Sequence, residues 1–219
     1  MMWRDEGYLI SKNNFDENSI IAECFTLNHG KFSGVVYGGS SRKSKKIFQL
    51  GNKLLLNYKS KSENKIGYYT IELIKPITPK FFDDKKRSIC ILSAASLLKI
   101  LLPERQNNKK IYDLLEGLLS QINLDNWIKY YIYWEIALVN ALGFEINLNL
   151  DGKKINTIEV NDKTFPIPKV LNENNISRVT KNEIKQALIF NKTLIMENFI
   201  IPNKLKFPLS RNILEKYYS

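Results

Sequence analysis

Lys65-Ile66-Gly67-Tyr68-Tyr69-Thr70-Ile71-Glu72-Leu73-Ile74-Lys75 is the stretch at which this chain changes character. Tyr69, Ile71 and Leu73 recur at every second position, the period of a half-buried strand. Pro76 and Pro79 follow, and beyond them apolar residues recur at helical spacing. Upstream, every apolar run is short. Gly7 to Ser11 is one, and Ser19 to Leu27 is another, with Ile21, Glu23, Phe25 and Leu27 on one alternating set. Lys31 to Tyr37 closes on Gly38-Gly39, and Lys53 to Lys59 is entered from a Gly51-Asn52 turn. Roughly five short strands are too few for a sandwich and suit a small closed barrel such as the OB-fold, which leaves no open edge.

Downstream, Asp83 or Asp84 can cap a helix with Ile91, Leu92, Ala95, Leu98, Leu101 and Leu102 inward, stopped at Pro103. A second helix carries Ile111, Leu114, Leu115, Leu118 and Ile122, and Asp125 opens a third that ends at Gly143. Thr180-Lys181-Asn182-Glu183 reads as a capping box before Ile184, Leu188, Ile195 and Phe199, with Pro202 as the stop. Ser210 can cap a final short helix. Phe144 to Ser177 is polar, with a hairpin-like Asp151-Gly152 turn. The expected class is α+β: an N-terminal OB-fold β-barrel over 1–78, then an α-helical bundle over 79–219 with an irregular insert at about 145–176.

The chain of 219 residues has 33 Lys plus Arg against 22 Asp plus Glu, a net charge of +11. That excess favours a polyanionic partner: nucleic acid, an anionic membrane surface or an acidic protein tail. A lysine-rich, AT-biased genome would give the same excess. The two cysteines, Cys24 and Cys90, are far apart in apolar settings, which predicts neither a disulfide framework nor a zinc quartet. A single histidine, His29, cannot supply several imidazoles. No apolar run approaches a membrane span, and the start, Met1 to Glu6, lacks the apolar core of a signal peptide. A cytoplasmic protein without metal or cofactor is expected.

The cations cluster at the front. Lys31 to Lys65 holds nine Lys or Arg and one acid, Glu63, and the densest part is Gly38-Gly39-Ser40-Ser41-Arg42-Lys43-Ser44-Lys45-Lys46. Glycines let such a loop turn and small serines keep it open, so its cations can neutralise phosphates and release counterions. Phe32, Tyr37, Phe48, Tyr58, Tyr68 and Tyr69 flank it, and those on a barrel face can stack on unpaired bases, although most strand aromatics are core. The candidate DNA-binding residues are Lys31, Tyr37, Arg42, Lys43, Lys45, Lys46, Lys53, Lys59 and Lys61. The glycines lack the spacing of a nucleotide-hydrolysing phosphate loop. His29 reads as a hydrogen-bonding turn residue, Cys24 as packing, and no catalytic residue stands out. On the third helix Glu135 falls among inward-facing Ile128, Tyr131, Ile132, Leu138, Val139 and Leu142. A carboxylate there is costly unless paired, and Arg211 is the candidate partner for a structural pair that docks the last helix.

Several stretches, in this order, resemble the DNA repair protein RecO family. They are Trp3-Arg4-Asp5-Glu6-Gly7-Tyr8-Leu9, His29-Gly30-Lys31 through Gly38-Gly39, the basic run, and Gln49-Leu50-Gly51. Trp134-Glu135-Ile136-Ala137-Leu138, Leu142-Gly143-Phe144 and Ser210-Arg211 complete the set, and the likeness is weakest from about Leu148 to Thr180. The resemblance implies an OB-fold, a helical C-terminal domain and binding to single- and double-stranded DNA at the nucleoid. It further implies strand annealing, and loading of the RecA recombinase, with RecR as partner, onto DNA coated by single-strand-binding protein. Many relatives carry zinc-binding cysteine pairs after the Leu-Gly-Phe stretch; Glu145 to Asn175 here has none, so packing by Phe165, Ile167 and Val170 must hold the insert. The family also receives the acidic, Phe-ended tail of single-strand-binding protein, for which Lys181, Lys185 and Lys192 are candidate contacts. Two other readings compete: a basic adaptor for acidic protein tails, and an RNA-binding OB protein.

Overall fold

Apolar alternation builds five strands at the front of the chain: β1 (Met2–Asn14), β2 (Ser19–Thr26), β3 (Gly30–Tyr37), β4 (Lys53–Lys59) and β5 (Gly67–Lys75). They close into a barrel in the order β1-β2-β3-β5-β4, with β3 and β5 paired in parallel. The computed structural model describes residues 1–219 except 43, 63–64, 147–148, 151–152, 155, 162 and 173–178, with backbone alone at 149–150, 153–154 and 172. The expected Asp151-Gly152 turn lies outside the described residues. The chain divides into two compact units, Met1–Tyr112 and Asp113–Ser219.

In the barrel, Leu9, Ile20, Ala22, Cys24, Phe32, Val36, Phe48, Leu54, Leu56, Tyr58 and Tyr69 form one buried cluster. The inward set of β2 is therefore Ile20, Ala22 and Cys24, the phase opposite to Ile21 and Glu23. β1 pairs with both β2 and β4, and a register shift between Leu9 and Ser11 lets so long a strand bend round the barrel. The β3–β5 seam pairs Gly34 with Gly67. A β-carbon on Gly34 would lie 2.4 Å from the Tyr69 ring and one on Gly67 2.5 Å from Tyr58, so these glycines make room for core tyrosines. The Gln49-Leu50-Gly51-Asn52 turn knits the barrel together. Gly51, at φ +86°, donates to Leu9 O, while buried Asn52 accepts from Ile77 N and donates to Ile47 O.

Helix α1 (Lys85–Leu101) begins at Asp84, whose side chain accepts from Arg87 N, and buries Ile91, Ala94, Ala95, Leu97 and Leu98. α2 (Lys109–Gln121) supplies Tyr112, whose ring lies 5.5 Å from Tyr8 and 5.8 Å from Phe25. In the second unit, α3 (Trp127–Ala141) starts with Asn126 rather than Asp125 at its N-cap. The insert carries two short hairpins, β6 (Asn149–Leu150) with β7 (Lys153–Lys154) and β8 (Thr157–Val160) with β9 (Lys163–Pro166). Val170, in the short α4 (Lys169–Asn172), is fully buried, and its carbonyl accepts from the Tyr133 hydroxyl. α5 (Lys181–Ile195) opens on the Thr180–Glu183 capping box and continues into a π-helical turn, Met196–Ile200. α6 (Leu209–Lys216) is entered from Pro208, whose fixed φ suits the N-cap; Ser210 lies inside the helix and does not cap it. No helix of the described residues is long and apolar enough to cross a membrane.

Candidate nucleic-acid interface

Tyr37 ends β3 on the barrel's outer face, and the glycines after it turn the chain into the basic loop. Gly38 sits at φ +69°. The serines lace this loop rather than merely keeping it open: Ser44 Oγ donates to Gly38 O at 2.8 Å and Ser41 Oγ to Ser44 Oγ at 2.8 Å. Lys45 N bonds Ser41 O, and a short helical turn over Ser44–Lys46 follows. Phe48, 3% exposed, anchors the loop in the barrel core. Arg42, Lys45 and Lys46 are left exposed on a braced turn; Lys43 lies outside the described residues.

Lys12, on β1, joins this cluster. Its ammonium donates to Phe48 O, and partial burial together with the nearby Lys45 charge pushes its pKa down. The sequence offers no local signal for it, because only the length of β1 carries it to the loop.

Of the aromatics, Phe32, Phe48, Tyr58 and Tyr69 are core. Tyr37 (66% exposed) and Tyr68 (44%) stack on each other at 5.2 Å across the β3–β5 seam. The hydrogen bond to Tyr68, with Asp16 nearby, pushes the Tyr37 phenol upward. Tyr68 pairs in register with Lys59, and Lys59 with Met2. Lys59 is exposed, as are Lys61 and Arg4. A line of exposed groups thus runs from the loop through Tyr37 and Tyr68 to Lys59. The same outer surface, across β1, β4 and β5, holds a depression of 480 Å³. Arg4 would have been visible had β1 been read from Met2 rather than from Gly7.

Two predicted contacts leave the set. Lys31 is 8% exposed; its ammonium donates to Lys99 O at 2.8 Å and lies 3.8 Å from Glu23 Oε1, so it ties β3 to α1. Lys53 pairs with Glu6 at 2.9 Å and lies over the Tyr8 and Tyr112 rings. Both strands face packed elements at these positions, which no local pattern announces.

Neither His29 nor Cys24 is arranged for chemistry. Burial alone would raise the Asp5 carboxyl, but hydrogen bonds from His29, from Asn28 and from the Glu6 amide hold it below its ordinary 3.8. His29 also stacks on Trp3 at 4.1 Å, so Asp5 and His29 brace the turn between β2 and β3 against β1. Burial pushes the Cys24 thiol far up, which makes it a packing residue.

In the second unit the structure brings Glu135 and Arg211 together, both with side chains 0% exposed. Arg211 Nε donates to Glu135 Oε1, and Nη2 donates to Glu135 Oε2 at 3.1 Å and to Leu188 O at 2.6 Å. The Tyr131 hydroxyl and Asn191 Nδ2 donate to the same carboxylate at 2.8 and 3.1 Å. Asn191 was not foreseen; a lone amide in a helix pattern gives no sign of its partner. Lys181, Lys185 and Lys192 share one face of α5, but Lys181 Nζ bonds Ser219 O and Lys192 lies 3.7 Å from Glu215 and over Phe207.

The family profile "Recombination protein O N terminal" matches residues 1–77, and "Recombination protein O C terminal" matches 83–162. A DNA repair protein RecO of Wolbachia pipientis subsp. Culex pipiens is 28% identical over 244 residues, covering 100% of both chains. Similar proteins of the same description occur in Cereibacter sphaeroides (34% identical, 68% of this chain, 62% of its own length) and in a Jannaschia species (32%, 68% and 61%). The chain thus spans less than two thirds of the length of these last two relatives. The two profiles lie in chain order on the barrel and on the helices that follow it, and with the full-length match they show that the chain belongs to the RecO family of DNA repair proteins.

Proposed function

We propose that the chain binds single- and double-stranded DNA through the Gly38–Lys46 loop and the Tyr37–Tyr68 face, without altering it chemically. On this reading it anneals complementary strands and, with RecR, helps load RecA onto DNA coated by single-strand-binding protein. One observation carries the reading: Arg42, Lys45 and Lys46 stand exposed on a serine-braced turn beside an exposed tyrosine pair. Cations so placed neutralise phosphates and release counterions, and a surface that screens two strands lowers their repulsion without ATP.

The helical unit offers a seat for the acidic, Phe-ended tail of single-strand-binding protein. An apolar groove of 400 Å³ lies among Phe165, Ile167, Ile189 and Phe190, with Lys169 at its edge and Lys185 one helical turn before Ile189. Such work places the protein in the cytoplasm, at the nucleoid.

A fluorescence strand-annealing assay at low and high salt tests the reading. The protein should accelerate annealing strongly at low salt and weakly at high salt. Arg42→Ala with Lys45→Ala and Lys46→Ala should lose most of that acceleration while tail-peptide binding persists. Unchanged annealing by the triple variant would overturn the assignment in favour of a tail-binding adaptor.

A further inference from the structure

The barrel closes along a short seam. β3 and β5 pair only at Gly34–Gly67 and Val35–Tyr68, and β3 ends at Tyr37, whereas β4 accompanies β5 as far as Lys75. In an antiparallel ladder every second residue turns its N–H and C=O away from the paired strand. From Thr70 to Lys75 those groups face the side that β3 has left. We infer that this free edge of β5 docks an extended segment of a partner protein, apolar at alternate positions and acidic between them. The seat is separate from the DNA contacts and from the α5 groove proposed above, and it rests on neither.

Exposure follows the missing strand. Thr70, Glu72 and Ile74 share the outer face with Tyr68, and all are exposed. Leu73 belongs to the inward set with Tyr69 and Ile71, yet it is 37% exposed, because no strand covers the barrel there. Exposed edges are usually blunted by proline or by rows of charge. Between Gly67 and Lys75 there is no proline, and the only charged residues are Glu72 and Lys75. The basic loop runs along the same open side. It leaves at Tyr37, which stacks on Tyr68 near the start of β5. It returns at Asn52, whose side-chain carbonyl accepts from Ile77 N just beyond the strand, and Thr78 Oγ1 donates to Leu50 O. Ile47 and Leu50 of the loop pack against the same core as Ile71 of β5. The loop thus spans β5 from end to end, with Arg42, Lys45 and Lys46 exposed on it.

Bonding and charge choose the occupant. The edge presents N–H and C=O groups in turn; another peptide backbone matches both, whereas a phosphate can only accept. Apolar side chains on the added strand would pack beside Ile74 on the outer face or Leu73 on the inner one. Glu72 is the single acid on β5, set against Lys75 and the three loop cations, so acids on the partner strand are favoured. A second copy of this chain would bring a net charge of +11 to a surface already basic, and is repelled.

The test uses the full chain and a fluorescein-labelled, end-capped peptide of alternating valine and glutamate. Fluorescence anisotropy should show saturable binding that weakens as salt rises. On binding, hydrogen exchange should slow at Thr70–Lys75 and stay unchanged across α5. A peptide with the same side chains but every backbone nitrogen methylated has no donors for the edge, and should bind at least about tenfold more weakly. Ile74→Glu sets a like charge on the exposed face and should weaken binding by roughly the same factor, with urea unfolding as in the parent. Equal affinity for the methylated peptide would overturn the strand seat, and equal affinity for a valine–lysine repeat would overturn the acidic occupant. Slowed exchange at α5 alone, or none at Thr70–Lys75 with millimolar peptide, would also overturn the seat. Slowing at Thr70–Lys75 without peptide, growing with protein concentration, would give the edge to a second copy of the chain instead.

Discussion

Arg42 and Arg211 are the same side chain put to opposite uses. Arg42 stands in solvent on a loop whose bonding comes from serines and backbone, so the fold gains little from its charge. Arg211 is sealed in the helical unit, where Glu135 and Leu188 O accept its protons and Tyr131 and Asn191 complete the carboxylate's shell. The basic loop places its cations on the outside, and the helical unit keeps Arg211 within. Net charge cannot tell the two apart; burial and hydrogen-bond partners can. An exposed cation contributes little to stability and much to binding a polyanion, whereas a buried one must be paired or the fold fails.

The largest effect should come from breaking the buried pair. Glu135→Gln leaves Arg211 charged and buried, and should cost about 3–5 kcal/mol in urea unfolding of the whole chain. DNA affinity of the remaining folded protein should be unchanged. Glu135→Leu combined with Arg211→Met should recover part of the loss, since it leaves no buried charge, while the Tyr131 hydroxyl, the Asn191 amide and the Leu188 carbonyl each lose a partner. If Glu135→Gln is neutral, the pair does not dock α6 and the comparison collapses on that side.

The next effect breaks the opposite side. Removing the charges of Arg42, Lys45 and Lys46 should leave urea unfolding nearly unaltered. The slope of log affinity against log salt should become shallower by about 2–3 units, near one per lost phosphate contact. A shift in stability with no change in slope would mean that the loop cations serve the fold, as Arg211 does.

How much of this was legible depends on the range over which each feature is decided. The Asp84 cap and the Thr180–Glu183 box are settled within one turn of helix, and both are present in the structure. The barrel was readable because strand period and turn residues are also local. Glu135 and Arg211 stand 76 positions apart, yet a carboxylate inside an apolar stripe announces that it needs a partner. Lys31 and Lys53 gave no such warning, since their environments are built by Lys99 and Glu6 from distant elements. Tyr68 and Tyr69 are neighbours that point to opposite faces, and only the register at the Gly34–Gly67 seam decides which one meets solvent. Ser210 matched a capping residue by type, but Pro208 already supplied the entry geometry.

Acid provides a third, smaller test within the barrel. Asp5 titrates lower in the folded chain than its ordinary 3.8, so folding favours its ionised form. The stabilisation is complete above about pH 4 and is lost as pH falls through the folded value. Asp5→Asn should therefore cost about 2 kcal/mol at neutral pH, in line with hydrogen bonds to a charged acceptor. The gap between variant and parent should narrow below the ordinary carboxylate range in urea titrations followed across pH. A gap that stays constant down to about pH 2, well below that range, would show that the substituted amide fails by shape, not by lost charge.

The smallest expected effect is the sharpest on the comparison, because Lys31 lies within the basic segment yet is built like Arg211. Its ammonium is shielded, donates to the Lys99 carbonyl near the end of α1, and stands beside Glu23, whose carboxyl burial raises despite the nearby lysines. Lys31→Met keeps the aliphatic stem and removes the charge together with the hydrogen bond to Lys99 O. It should cost about 1 kcal/mol of stability, the net contribution of one hydrogen bond, and leave the salt slope of DNA binding unmoved. A slope shallower by about one unit would instead place Lys31 on the phosphate path. In that event the lysine must swing out from β3 when DNA arrives, and the line between cations that bind and cations that hold the fold would run through a single side chain.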